Sequence, residues 1–264
     1  MLGETSAPCA SSEVLLHVEK ISHEFAGLQA LSNVSMRARR GEIIGLIGPN
    51  GSGKTTLFNL ITGVYAARHG RIFFEGHDIT GMPGHHIASA GIMRTFQNPR
   101  IFASLGLVEH LVIPMWAVSR PVSFIDLVRQ MSMPWRSLAP AAEKILQSIT
   151  ALTSVDEIPA SALSYGRRRL LELARCLASS PRLLLLDEPT AGLNPNEACE
   201  VHALLERLAA SLGLAMIVID HNVDFIERLC SRLVVLVNGC IIRDGPGEEV
   251  LRDPRVVAAY YGER

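Results

Sequence analysis

The sequence predicts an α/β fold: a mainly parallel sheet with helices around it, an antiparallel sheet beside it and a helical insertion between the two halves of the parallel sheet. Three observations carry this prediction. Aliphatic runs short enough to be strands buried on both faces, Glu42–Ile47, Leu183–Leu186 and Leu214–Ile219, alternate with amphipathic stretches at helical period. Hairpin signals flank them, at Ala26-Gly27 and at Asn238-Gly239. Between Ser104 and Leu163 the strand signal lapses and Pro114, Pro121, Pro134, Pro140 and Pro159 punctuate a helical texture.

In chain order, Val14–Ile21 and Val34–Arg39 read as strands by β-branching and period two. Glu42–Ile47 runs directly into Gly48-Pro49-Asn50-Gly51-Ser52-Gly53, and Lys54–Thr62 is helical, stopping at Gly63. Gly70–Glu75 is a strand expected to return to the first pair, and Pro83–Ala90 a short helix. The prolines divide the insertion into short helical pieces such as Ala141–Leu152. Tyr165–Ala178 places Leu170, Leu171, Ala174, Leu177 and Ala178 on one helical face. Glu197–Leu212 and Val223–Cys230 are helices around the strand Leu214–Ile219, and Leu233–Val237 turns through Asn238-Gly239 into Cys240–Arg243.

At 264 residues the chain suits one large domain with a subdomain, at about 150 residues per domain. Apolar residues at 48% exclude a disordered chain, and a formal charge of −1 gives no field to recruit nucleic acid or anionic lipid. The five cysteines are odd in number, widely spaced and without C-x-x-C, which fits a reducing compartment. Residues 1–13 lack the apolar stretch of a secretory signal and are expected to be a flexible extension. The apolar runs fall far short of the roughly 18 residues of a membrane span, so any membrane role is by docking from the cytoplasmic side.

Gly48 to Thr55 satisfies G-x-x-x-x-G-K-S/T, after a strand and before a helix. Glycines let backbone N–H groups converge on phosphate oxygens, and the helix beginning at Gly53 turns its positive end to the same anion. Lys54 supplies a point charge for the β- and γ-phosphates and the Thr55 hydroxyl suits Mg²⁺. A dinucleotide fingerprint is excluded because Thr56 stands where its last glycine is needed. Leu183–Leu186 delivers Asp187 and Glu188 to a strand end, where open α/β sheets bind ligands. Asp187 suits the Mg²⁺ shell and Glu188 the positioning of an attacking water. His221 follows the next buried strand; by itself, a lone histidine there is more often structural.

Together these residues resemble an ATP-binding cassette subunit from Val14 to Gly262. Leu163-Ser164-Tyr165-Gly166 resembles the cassette signature, Gln97 in Arg94-Thr95-Phe96-Gln97-Asn98 the glutamine loop, and Ala191-Gly192-Leu193-Asn194-Pro195 the loop after the second phosphate motif. His221 matches the switch histidine, which outweighs the structural reading. Phe25, 29 residues before Lys54, falls where the family stacks an aromatic on adenine. The resemblance implies a P-loop NTPase (RecA-like) core with an antiparallel β subdomain and an α-helical subdomain at about 104–178, within one nucleotide-binding domain at 14–262. It assigns Phe25, Gly48, Pro49, Asn50, Gly51, Ser52, Gly53, Lys54, Thr55, Thr56, Ser164 and Gly166 to ATP, Thr55, Gln97 and Asp187 to Mg²⁺, and Glu188, His221 and Gln97 to catalysis.

The finer texture is similar to the ATP-binding subunits of branched-chain amino acid uptake transporters. Arg94–Gln97, Leu163–Gly166, Ala191–Pro195 and the tail Ala259-Tyr260-Tyr261-Gly262-Glu263 carry that similarity, much of it shared with urea and short-amide systems. It implies a head-to-tail dimer with a second, different cassette, two permease subunits docked near Gln97 and Ser104–Pro140, and a separate solute-binding protein. A soluble cassette ATPase acting on nucleic acid or ribosomes would call for a basic surface, tandem cassettes or a coiled-coil insertion. A small-molecule kinase would leave Leu163–Gly166 and His221 without a role. Two departures stand out. Arg167-Arg168-Arg169 follows the signature where an acidic or amide residue and then a glutamine are usual. Either Arg167 and Arg168 add charge near a phosphate or they are solvated at a helix start; the second is favoured because basic charge opposes the dipole there. Asn222 follows the switch histidine where Asp is common.

Overall fold

Ala26 and Gly27 take positive φ, 47° and 84°, and close a tight hairpin between β1 (Val14–Phe25) and β2 (Leu28–Arg39). This is a computed structural model, and it describes residues 14–97, 101–102, 104–119, 134–149 and 159–261. The expectations for residues 1–13, Asn98, Pro121 and Gly262 lie outside the described residues, as do 120–133 and 150–158 of the insertion. Both strands run further toward the turn than the sequence periodicity reached, since hairpin pairing carries their polar ends along. β4 (His69–Phe74) returns antiparallel to β1 as expected, and β5 (His77–Asp78) completes a sheet of order β2-β1-β4-β5.

The second sheet has the order β10-β9-β3-β8-β7-β6. Its strands β3 (Ile43–Ile47), β6 (Ile92–Arg94), β7 (Leu183–Asp187), β8 (Ala215–Ile219) and β9 (Arg232–Val237) are parallel, and β10 (Cys240–Pro246) is antiparallel on β9. Strand β6 escaped the sequence reading because three residues show no period. The C-terminal hairpin turns through Asn238 (φ 46°) and Gly239 (φ 76°) as its Asn-Gly signal requires. It does not extend the antiparallel sheet, however, but widens the parallel one: β9 is buried from Leu233 to Leu236 and pairs with β3.

Alternate residues of the parallel strands feed two cores. Leu183, Leu185, Ile217 and Leu236 face α1 (Lys54–Ile61) and the antiparallel sheet, through Phe58 and Ile72. Leu184, Leu186, Met216 and Val218 face the opposite layer. That layer holds α3 (Leu107–Ser119), α4 (Pro134–Ile149), α5 (Tyr165–Ala178) and α6 (Pro195–Leu212), which follow α2 (Gly84–Ser89) in the chain. It continues with α7 (Val223–Leu229), α8 (Gly247–Leu251) and α9 (Pro254–Tyr261). Burying each such Leu or Ile contributes about 1.5–3 kcal/mol.

The insertion differs from the expected proline-broken fragments. Pro114 lies inside α3, Pro140 inside α4, and Pro134 opens α4. Each interior proline removes one ladder bond, but Leu111, Val112, Ala142 and Leu146 are buried in the shared core, and that packing outweighs the missing bonds.

Candidate functional site

β3 delivers the chain into a loop that only glycine can begin. Gly48 has φ 152°, and a Cβ there would lie 2.0 Å from the Leu236 carbonyl oxygen. Helix α1 starts at Gly53, itself at φ 105°, without a side-chain cap, and the buried Ser52 Oγ has no hydrogen-bond partner. A helix N-terminus left so is a receptor for an anion. Pro49 accepts the Ser52 N–H at 3.2 Å to close the turn, with Asn50 and Gly51 at its exposed tip. Lys54 Nζ donates to the Gly48 and Pro49 carbonyls at 2.7 and 2.9 Å. Burial pulls the Lys54 ammonium below its usual range, and the charges of Glu188 and Asp187 oppose that pull. Thr55 is exposed and Thr56 half-buried at the start of α1.

At the end of β7, Asp187 is held from two sides. Its Oδ2 accepts Arg94 Nη2 at 2.6 Å, and its N–H donates to Thr95 Oγ1 at 3.2 Å. Arg94 Nη1 donates to Asn59 Oδ1 of α1 at 2.5 Å. Glu188 follows in the left-handed region, φ 49°, a conformation that costs a non-glycine residue about 1–2 kcal/mol. Its N–H donates to the Ile219 carbonyl at 2.7 Å. Its Oε2 accepts Gln97 Nε2 at 3.0 Å, and its Oε1 lies 3.0 Å from His221 Nε2. Gln97, Glu188 and His221, separate in sequence, thus form one cluster. Behind it, Asp220 accepts Thr190 Oγ1 at 2.7 Å and the Asn222 N–H at 2.9 Å. Asn222 accepts the Phe225 N–H at 3.1 Å as the cap of α7, a task an aspartate or an asparagine performs equally well.

Ser164 caps α5, accepting the Arg167 N–H at 3.4 Å, and Gly166 packs so closely that a Cβ would lie 2.5 Å from Glu197 Oε1. Their contacts are with their own helix and with α6, apart from the Lys54–Glu188 cluster. Solvation describes only Arg167, which is exposed; Arg168 donates to the Leu163 and Ser161 carbonyls at 2.9 and 2.8 Å and closes the turn before α5. Arg169, 2% exposed, donates to the carbonyls of Phe96, Gln97 and Glu188, the last at 3.1 Å, and pairs with Glu172 at 3.2 Å. Glu172 in turn accepts the Phe96 N–H at 3.0 Å, and burial pushes its carboxyl upward. Arg169, alone of the three, therefore braces the glutamine segment from within.

Phe25 is exposed, with its ring edge-on to His23 at 4.7 Å and to Tyr65 at 5.3 Å. His23 and Tyr65 escaped the sequence reading, as did Asn59, the individual parts of Arg94 and Thr95, and the pair Arg169–Glu172. A charged residue ending an apolar run, as Arg94 does, was the one available signal.

The family model described as ABC transporter matches residues 31–191. The high-affinity branched-chain amino acid transport ATP-binding protein BraF of Pseudomonas aeruginosa is 36% identical over 257 residues, 96% of this chain and 99% of that protein. The corresponding protein LivG of Salmonella typhimurium is 36% identical over 255 residues, again 96% and 99%. Among solved structures, a nucleotide-free ATP-binding cassette from an ABC transporter superposes with a TM-score of 0.82 at 34% identity, covering 95% of this chain and 100% of that one. Among the described residues no helix is long and apolar enough to cross a membrane.

Proposed function

This chain belongs to the ABC transporter family as an ATP-binding, ATP-hydrolysing subunit of an importer, and from that premise we propose that it energises the uptake of branched-chain amino acids. The observation that carries the hydrolytic reading is the Glu188 carboxylate, held between Gln97 and His221 beside Lys54. The uncapped start of α1, the Gly48 approach and the orphaned Ser52 hydroxyl fit a phosphate chain. Thr55, Asp187 and Gln97 would hold Mg²⁺, which neutralises phosphate charge when bound.

Within that site Lys54 meets the outer phosphates, exchanging its two carbonyl partners for anionic oxygens. Phe25 stacks the adenine. Glu188 orients a water toward the γ-phosphate, and its left-handed backbone aims the carboxylate while Gln97 and His221 fix the two oxygens. His221, 55% exposed in its side chain, is free to turn from Glu188 to a γ-phosphate oxygen. Ser164 and Gly166 meet the γ-phosphate held by a second cassette, a different chain, so ATP closes a head-to-tail dimer and hydrolysis reopens it. The helices α3, α4 and α5 belong to the subdomain that two permease subunits grip from the cytoplasmic side. The exposed apolar side chains of Phe102 and Ile113 support that contact. A solute-binding protein completes the importer.

The test is reconstitution with the permeases and the partner cassette in proteoliposomes. Leucine delivered by the binding protein is expected to raise ATP turnover and to accumulate; accumulation of urea or a short amide instead would overturn the substrate assignment.

A further inference from the structure

Arg94 ends β6 with a guanidinium only 6% exposed and forked between two acceptors, Asp187 Oδ2 at 2.6 Å and Asn59 Oδ1 at 2.5 Å. Thr55 and Asn59 stand four residues apart on α1 and so share a helix face, one turn from each other. The fork therefore spans, one turn deeper, the gap between α1 and β7 that separates Thr55 from Asp187. Little slack remains in it. The rings of Phe58 and Phe96 each lie 5.4 Å from the guanidinium carbon, and Thr95 takes the Asp187 N–H.

We propose that Arg94 is a positioning residue for Asp187. It fixes the rotamer of the carboxylate and sets its separation from Thr55, presenting the pair preformed to the divalent ion of a bound nucleotide. This inference rests on the assignment of Thr55 and Asp187 to that ion. A buried ion pair is a poor stabiliser beside well-packed apolar groups, whereas a planar fork on two fixed acceptors imposes geometry. A lysine would keep the charge but reach one acceptor at a time.

The experiment titrates the full chain with a non-hydrolysable ATP analogue by calorimetry, in chelator and in saturating Mg²⁺; the ratio of the two Kd values is the gain from Mg²⁺. Arg94→Lys preserves charge and Asn59→Ala removes only the anchor on α1. Both are expected to leave the chelator Kd within about twofold, while Arg94→Lys reduces the Mg²⁺ gain by about tenfold and Asn59→Ala reduces it in the same direction. If Arg94→Lys does not fold, Asn59→Ala decides alone. A wild-type Mg²⁺ gain retained in the variants, with urea stability lowered, would make Arg94 structural and overturn the proposal. No Mg²⁺ gain in the wild type would overturn the Thr55–Asp187 assignment, and the proposal with it.

Discussion

His221 Nε2 lies 3.0 Å from Glu188 Oε1, while the other oxygen of that carboxylate accepts Gln97 Nε2 at 3.0 Å. The group that must orient a water is thus aimed by two side chains from two different strand ends. Glu188→Gln keeps the shape and removes the charge. Its Kd for ATP is expected to stay within about threefold of wild type while turnover in the assembled transporter falls by at least about a hundredfold. Turnover by a coupled phosphate assay checks this; an unchanged rate would exclude Glu188 from the chemistry.

Lys54 makes a pH signature. Burial holds its ammonium below the usual 10.5, with Glu188 and Asp187 opposing only part of that. The folded chain therefore gives up this proton at lower pH than the unfolded chain. Between the lowered value and 10.5 the unfolded state binds more protons, so stability rises with pH; below that window the full penalty persists. In Lys54→Met this contribution vanishes, and the urea midpoint of the wild type should gain on that of the variant as pH climbs toward 10.5. A difference that does not move with pH contradicts the assignment. The same variant should bind ATP at least about tenfold more weakly, because a buried phosphate charge loses its partner.

The parts of this site legible in the sequence are those whose chemistry is local. Gly48 to Thr55 is one continuous turn, and Asp187-Glu188 is read from the aliphatic run that delivers it. Arg94 was visible as a residue but not as a brace, because its acceptors stand 35 and 93 residues away. Arg169 likewise meets Phe96 from 73 residues away, and charge opposing a helix dipole was the wrong guide for Arg168, whose side chain turns back to the Leu163 and Ser161 carbonyls. Strand β6 is too short to show a period. Pro114 and Pro140 misled for a related reason: their local cost is real, but tertiary packing decides.

Phe25 stands nearly perpendicular to the rings of His23 and Tyr65 and is 42% exposed, within reach of a base. Stacking one base on an aromatic ring contributes about 1–3 kcal/mol. Phe25→Ala should weaken ATP binding by about tenfold and leave binding of inorganic tripolyphosphate unchanged, as competition calorimetry would read. Equal losses for both ligands would move Phe25 from the base to the loop's architecture.

Arg169 joins the helix that presents Ser164 to the two segments, after β6 and after β7, that present Gln97 and Glu188. Arg169→Met strands the carbonyls of Phe96, Gln97 and Glu188 and leaves Glu172 charged in a buried setting, a loss of about 3–5 kcal/mol by urea unfolding. Stability and turnover can then be separated. Adding Glu172→Leu removes the uncompensated charge, so the double variant should recover part of the stability. It restores no donor to the Gln97 and Glu188 carbonyls, and ATP turnover should remain at the level of the single variant. Recovery of turnover in step with stability would mean that Arg169 supports the fold and does not hold the glutamine segment in register with Glu188.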